Sequence, residues 1–235
     1  MKAFYSISLC VIALAAAPTR AQITNPGNLV APPPAPPAMQ QREPQPEDLH
    51  WLWQYAQSAP TDQKAALLAD PRFAALLKDQ LKTPQVFWGK GVPLSDAAAA
   101  FLAGEGRVTS IGNRYLTITG CIADQCGQQG LLWIDLGMEK PLLVFTAMRW
   151  AEQSKTPDQP GAPFSLWLFS NRNLDELPQS FKTTLSAWLE SSDCAIHPIT
   201  VAAIVDTDGT PHAVTAGQLG IRPLCMTTAS TGNQP

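Results

Sequence analysis

Cys121 and Cys126 stand five positions apart near the middle of the chain. They enclose Ile122, Ala123, Asp124 and Gln125 and are followed at once by Gly127-Gln128-Gln129-Gly130. Two thiols this close, in an oxidising compartment, close a small disulfide ring. The spacing is not Cys-x-x-Cys, so it gives little support to thioredoxin-like redox chemistry. A ring ordered before it meets a partner loses little conformational entropy on docking, which suits binding by loop insertion better than catalysis. The same spacing also fits a pinned turn between two strands.

The other reactive residues are scattered. His50, His197 and His212 are the three histidines. Cys194-x2-His197, His212 and Cys225 together hold zinc-donor types. In an oxidising setting a Cys194–Cys225 disulfide with two ordinary histidines is the expectation, and no metal or other cofactor is expected. Asp206-x-Asp208-Gly209 resembles the start of a calcium loop but lacks the distal glutamate, so it reads as a hairpin turn. No Gly-x-Ser-x-Gly, His-Glu-x-x-His or phosphate-binding glycine loop occurs. Asp135, Glu139, Glu152 and Asp158 could serve a hydrolase, but nothing in the sequence pairs them. The chain therefore reads as a non-enzyme.

The compartment follows from the start of the chain. Met1-Lys2 precedes an apolar run from Ala3 to Ala17, with Thr19-Arg20-Ala21 as a tolerable cleavage site. That run suits a secretory signal and is too short for a comfortable membrane span. Residues 1–21 read as a signal peptide, and export into a periplasm is expected. The 235-residue chain carries a formal charge of −3. Loss of Lys2 and Arg20 with the signal would take it to about −5, with no basic run, which argues against nucleic acid as a partner. No later segment is long and apolar enough to cross a membrane.

Residues 22–46 form a proline-rich linker of extended, coreless composition. One α+β domain is expected over 47–225, with residues 226–235 a disordered tail. Glu47 to Ser58 and Thr61 to Leu68 read as short helices. Asp70-Pro71 opens a third helix as cap and first turn, with Phe73, Leu76, Leu77 and Leu81 at helical spacing. Ser95-Asp96 could cap an alanine-rich helix ending near Leu102 and Gly104. The period then becomes two. Arg107–Ile111 and Arg114–Thr119 flank a Gly112-Asn113 turn, and further strands are expected at Leu131–Leu136, Pro141–Met148 and Phe164–Phe169. Leu177 to Leu189 is an amphipathic helix, and Thr200–Val205 with His212–Thr215 makes a C-terminal hairpin. The expectation is a central antiparallel sheet with flanking helices and a protruding disulfide-closed loop. By loop entropy the Cys121–Cys126 ring is worth roughly 2 kcal/mol and a Cys194–Cys225 bridge about 3.7 kcal/mol. The second is then the stability staple, while the first mainly sets local shape.

The residues around the ring resemble the Ivy family, periplasmic inhibitors of vertebrate C-type lysozyme. The resemblance rests on Tyr115-Leu116-Thr117-Ile118-Thr119-Gly120, then Cys121 to Cys126, Gly127-Gln128-Gln129, and Leu131 to Leu136. Upstream it includes the helix around Phe73 to Leu81, Pro84, Trp88, Gly89 and Gly91. Downstream it runs through Leu143-Val144-Phe145-Thr146 and Phe164 to Leu168 to Leu189. It implies that the loop Cys121, Ile122, Ala123, Asp124, Gln125 and Cys126 plugs the cleft of a glycosidase. The family ring reads Cys-Lys-Pro-His-Asp-Cys, with the histidine meeting the catalytic carboxylates. Here Asp124 takes the histidine's place and Ile122 the lysine's. A carboxylate about 4 Å from another costs on the order of 4 kcal/mol at an effective dielectric of 20. A lytic transglycosylase with one principal, protonated glutamic acid suits Asp124 better than a two-carboxylate lysozyme.

Seven tryptophans, at 51, 53, 88, 133, 150, 167 and 188, carry a rival reading, a non-catalytic peptidoglycan- or glycan-binding envelope module. Exposed, coplanar rings would favour it. Core packing is the simpler expectation for Trp133, Trp167 and Trp188. An immunity protein against a cell-wall-degrading toxin would differ from a lysozyme inhibitor only in its target.

Overall fold

The computed structural model describes residues 48–56, 63–151, 155–156, 159–191 and 198–222. The segment read as a signal (1–21), the proline-rich stretch (22–46), residues 226–235, Glu152, Asp158, His197 and both Cys194 and Cys225 lie outside the described residues.

The N-terminal helices begin with a 3-10 turn, Leu49–Tyr55, capped by Asp48, where an ordinary helix was expected. Its Leu49 and Leu52 are buried, and Trp51 and Trp53 are partly buried against the same core. Helices α1 (Gln63–Ala69) and α2 (Pro71–Gln80) follow. Asp70 caps α2 by accepting from the Arg72 amide, with Pro71 in the first turn. Phe73, Leu76, Leu77 and Leu81 all point into the core, as their spacing requires. Helix α3 (Leu94–Leu102) starts at Pro93 without a side-chain cap. Ser95 is thus a buried residue inside the helix rather than its cap.

Seven strands then form one sheet whose spatial order is the chain order. They are β1 (Val108–Ile111), β2 (Tyr115–Ile122), β3 (Gln125–Asp135), β4 (Leu142–Trp150), β5 (Phe164–Ser170), β6 (Ile199–Val205) and β7 (Pro211–Ala213). Strands β1 to β5 are an antiparallel meander, and β6–β7 is the C-terminal hairpin. The wholly antiparallel sheet expected from sequence is corrected at one joint, because β6 runs parallel to β5. Helix α4 (Gln179–Ser191) lies between these two strands in the chain. Parallel neighbours need a long crossover connection, which α4 provides, whereas a tight turn reverses the chain.

Helices cover both faces. Phe73, Phe101, Leu116, Ile118, Leu132, Ile134, Phe145 and Phe169 fill the layer under α1 to α3. Trp133, Val144, Met148, Leu166, Phe181 and Leu185 fill the layer under α4, with Leu219 of the short α5 (Ala216–Leu219) at its margin. Leu131 to Asp135 and Leu142 to Met148 are buried throughout, so these central strands read as continuous rather than alternating apolar runs. Each such fully buried Leu or Phe contributes about 1.5–3 kcal/mol.

Candidate functional site

The Cys121–Cys126 disulfide is formed, with the two Cα atoms 4.7 Å apart. It closes the tip of the β2–β3 hairpin, with Ile122 opposite Gln125 and Ala123-Asp124 as the two-residue turn. Asp124 has φ 62°, a left-handed conformation that aspartate, asparagine and histidine enter more readily than other side chains. Ala123, Asp124, Gln125 and Cys126 are exposed, while Cys121 is buried and Ile122 packs partly against the core.

The pairing below the turn is irregular. Cys121 lies opposite Gln129, so the register shifts between Cys121 and Ile122 and residues 126–128 have no partner on β2. The buried Gln128 fills that bulge and donates from Nε2 to Gln125 Oε1 at 2.9 Å. Gln125 is thereby oriented from within the loop.

The ring rests on a seat of backbone atoms. Gly120 and Gly130 face each other across β2 and β3 directly beneath the end of α3. A Cβ on Gly120 would come within 2.6 Å of the Leu102 backbone, and one on Gly130 within 2.7 Å of Phe101 O. After α3 the chain turns back over the ring. The Gly104 amide donates to Cys121 O at 2.7 Å, and a Cβ there would meet Cys121 Sγ at 2.6 Å. A Cβ on Gly106 would strike Thr119 O. Lys64 of α1 is 8 % exposed and donates from Nζ to Gly104 O. Burial pulls its pKa down, while its place by the C-terminus of α3 suits a cation.

Lys64 and the four glycines were not singled out as site residues by the sequence. Gly104 reads there as a helix stop. The available signal was glycine interrupting strand patterns at Gly120 and Gly130, which marks close backbone approach.

The remaining candidates have local roles. Asp135 is 4 % exposed and receives Arg114 in two bonds of 2.9 and 2.8 Å, together with the Gly137 amide at 2.9 Å. Glu139 lies in the loop after β3. His50 pairs with Asp48 at 2.6 Å and His212 with Asp206 at 2.7 Å. Asp208 accepts from the Thr210 amide at 2.8 Å, and Gly209 has φ 93°, as a hairpin turn requires. Among the described residues no group of three or more His, Cys, Asp or Glu is placed to hold a metal.

Compared with protein-family models, curated proteins and solved structures, the chain shows no match. The likeness to the Ivy family therefore rests on the sequence residues quoted above alone. No described helix is long and apolar enough to cross a membrane.

All seven tryptophans are described, and each is at least partly buried. Trp133 is fully covered between Tyr115 and Phe181, Trp167 donates to Ser165 Oγ, and Trp150 donates to Lys155 O. They make no exposed coplanar set.

Proposed function

We propose that this chain is an exported inhibitor of a lysozyme- or lytic transglycosylase-type glycosidase, acting by inserting the Cys121–Cys126 ring into the target's cleft. The observation that carries this reading is the ring itself. It is an exposed two-residue turn, closed by a disulfide at the end of a buried hairpin and locked from below by Gly104, Gly120 and Gly130. Such a tip enters a cleft without first being ordered, so contact energy is retained as affinity. The buried tryptophans weigh against the glycan-binding alternative, since stacking on sugar rings needs an open aromatic face.

Asp124 selects among targets. A cleft with two ionised carboxylates repels it, whereas a single protonated glutamic acid donates a hydrogen bond to it. The protein is thus proposed to act on a lytic transglycosylase in preference to a C-type lysozyme. An immunity role against a wall-degrading toxin would use the same tip.

The test is titration of the purified, oxidised protein against a C-type lysozyme and a periplasmic lytic transglycosylase, with cell-wall turnover as readout. Inhibition of the transglycosylase at micromolar protein or below is expected. No inhibition of either enzyme overturns the proposal.

A further inference from the structure

The two edges of the sheet differ. Strand β7 has three residues, begins with Pro211, which has no amide hydrogen to offer, and is tied to the preceding turn through His212 and Asp206. Strand β1, the four residues Val108-Thr109-Ser110-Ile111, lacks the proline, charge and bulge that blunt other edges, and Ile111 is 53 % exposed.

The ladder fixes which of its backbone groups are spare. Thr119 N donates to Arg107 O at 2.9 Å, and Arg114 N donates to Ile111 O at 3.2 Å. In an antiparallel pair the inward positions alternate, so Arg107, Thr109 and Ile111 face β2. Val108 and Ser110 then direct their N–H and C=O groups outward, two donors and two acceptors repeating at roughly 7 Å along the edge.

A groove of about 710 Å³ adjoins this edge. Its floor carries Thr109, Thr117 and Thr119, its wall carries Thr183, Thr184 and Trp188 of α4, and the disulfide lies at one end. Among the described residues the formal charges lining it are Glu105 and Arg107, which cancel. Thr117 is 4 % exposed, and its Oγ1 has no partner among the described residues.

We infer that β1 and this groove form a second binding site, which takes an extended, uncharged peptide segment of a partner by strand addition. Main-chain bonds to Val108 and Ser110 would supply the pairing, and alternate side chains would enter the threonine-lined groove. A saccharide has no backbone repeat to match the outward amides, and a peptide of net charge would find no net counter-charge beside Glu105 and Arg107. The inference does not depend on a glycosidase target.

The test uses the isotopically labelled, oxidised protein and a capped hexapeptide of alternating threonine and valine. At roughly millimolar peptide, the Val108 and Ser110 amides are expected to shift and to exchange about tenfold more slowly. The same hexapeptide N-methylated at alternate residues should lose the effect. So should Ser110→Pro, which removes an outward donor and spares the β1–β2 ladder. Absence of shifts at β1 overturns the inference. Equal binding of the N-methylated peptide, or the same β1 response to chitotriose, also overturns it.

Discussion

Asp124 combines a conformational demand with a chemical one. Its φ of 62° favours aspartate, asparagine, histidine and glycine, and the residue is exposed in the turn of the ring. Asp124→His and Asp124→Asn therefore change charge without straining the turn. If the carboxylate is what repels a two-acid cleft, Asp124→His should improve inhibition of C-type lysozyme by up to about a thousandfold. Asp124→Asn should give part of that gain. Equal inhibition constants for all three would remove Asp124 from target choice. A second residue-level effect lies on the far side of the helical layer. Arg72 holds the Asp70 carboxyl well below its ordinary range, aided by the Tyr55 hydroxyl and the Arg72 amide. A depressed carboxylate stabilises the fold above its unfolded pKa of about 4, and that contribution is lost as pH falls through the lower folded value. Thermal scans between pH 5 and 2 should show a falling midpoint, with a shallower slope in Asp70→Asn.

At the scale of elements, the ring rests on α3 as well as on its own bridge. Gly120→Ala or Gly130→Ala would press a methyl group into the backbone of Leu102 or Phe101. Overpacking of this kind costs about 1–3 kcal/mol, read as a lower urea midpoint. It should also weaken inhibition, because lifting α3 tilts the hairpin tip. Opening the ring separates the two roles. Cys121→Ala with Cys126→Ala removes about 2 kcal/mol by loop entropy. Circular dichroism should show the fold retained, while inhibition falls. Full inhibitory strength in the open form would mean that closure does not pre-order the tip.

The sequence made some of these elements legible. Helix α2 was clear because its cap, first-turn proline and apolar spacing agree. The β1–β2 hairpin was clear from period two around Gly112-Asn113, where both turn residues take positive φ. The early start of β3 was hidden, because Gln125 to Gly130 has little strand propensity and pairs only because the disulfide and Gln128 hold it. The glycine seat was hidden for another reason. Gly104, Gly120 and Gly130 are separate breakers in sequence and become one surface only when α3 crosses two strands.

For the whole molecule, five of the six strand pairings follow simple hairpin logic, and the departure at β5–β6 comes from the α4 connection. Strand direction after a helix depends on which end of the sheet the helix returns to, which local pattern does not encode. Because spatial order repeats chain order, every strand pairs with its sequence neighbour. Refolding should accordingly be fast for a sheet protein of this size, in milliseconds to about a second, by stopped-flow fluorescence of the oxidised protein. Peptide mapping by mass spectrometry under non-reducing conditions should find Cys194 joined to Cys225, since that pairing was expected from sequence and lies beyond the described residues.

The way the ring is anchored bears on how such a protein can change its target. Its tethers reach main-chain atoms, Cys121 O from Gly104 and Gly104 O from Lys64, and its seat is made of residues without side chains. Ala123, Asp124 and Gln125 project into solvent. The lettering of the tip can therefore be rewritten while its mounting stays the same. The hairpin is in effect an interchangeable cartridge, and loops from unrelated cysteine-closed hexapeptides could be transplanted between Cys121 and Cys126, provided the fourth residue tolerates a left-handed backbone.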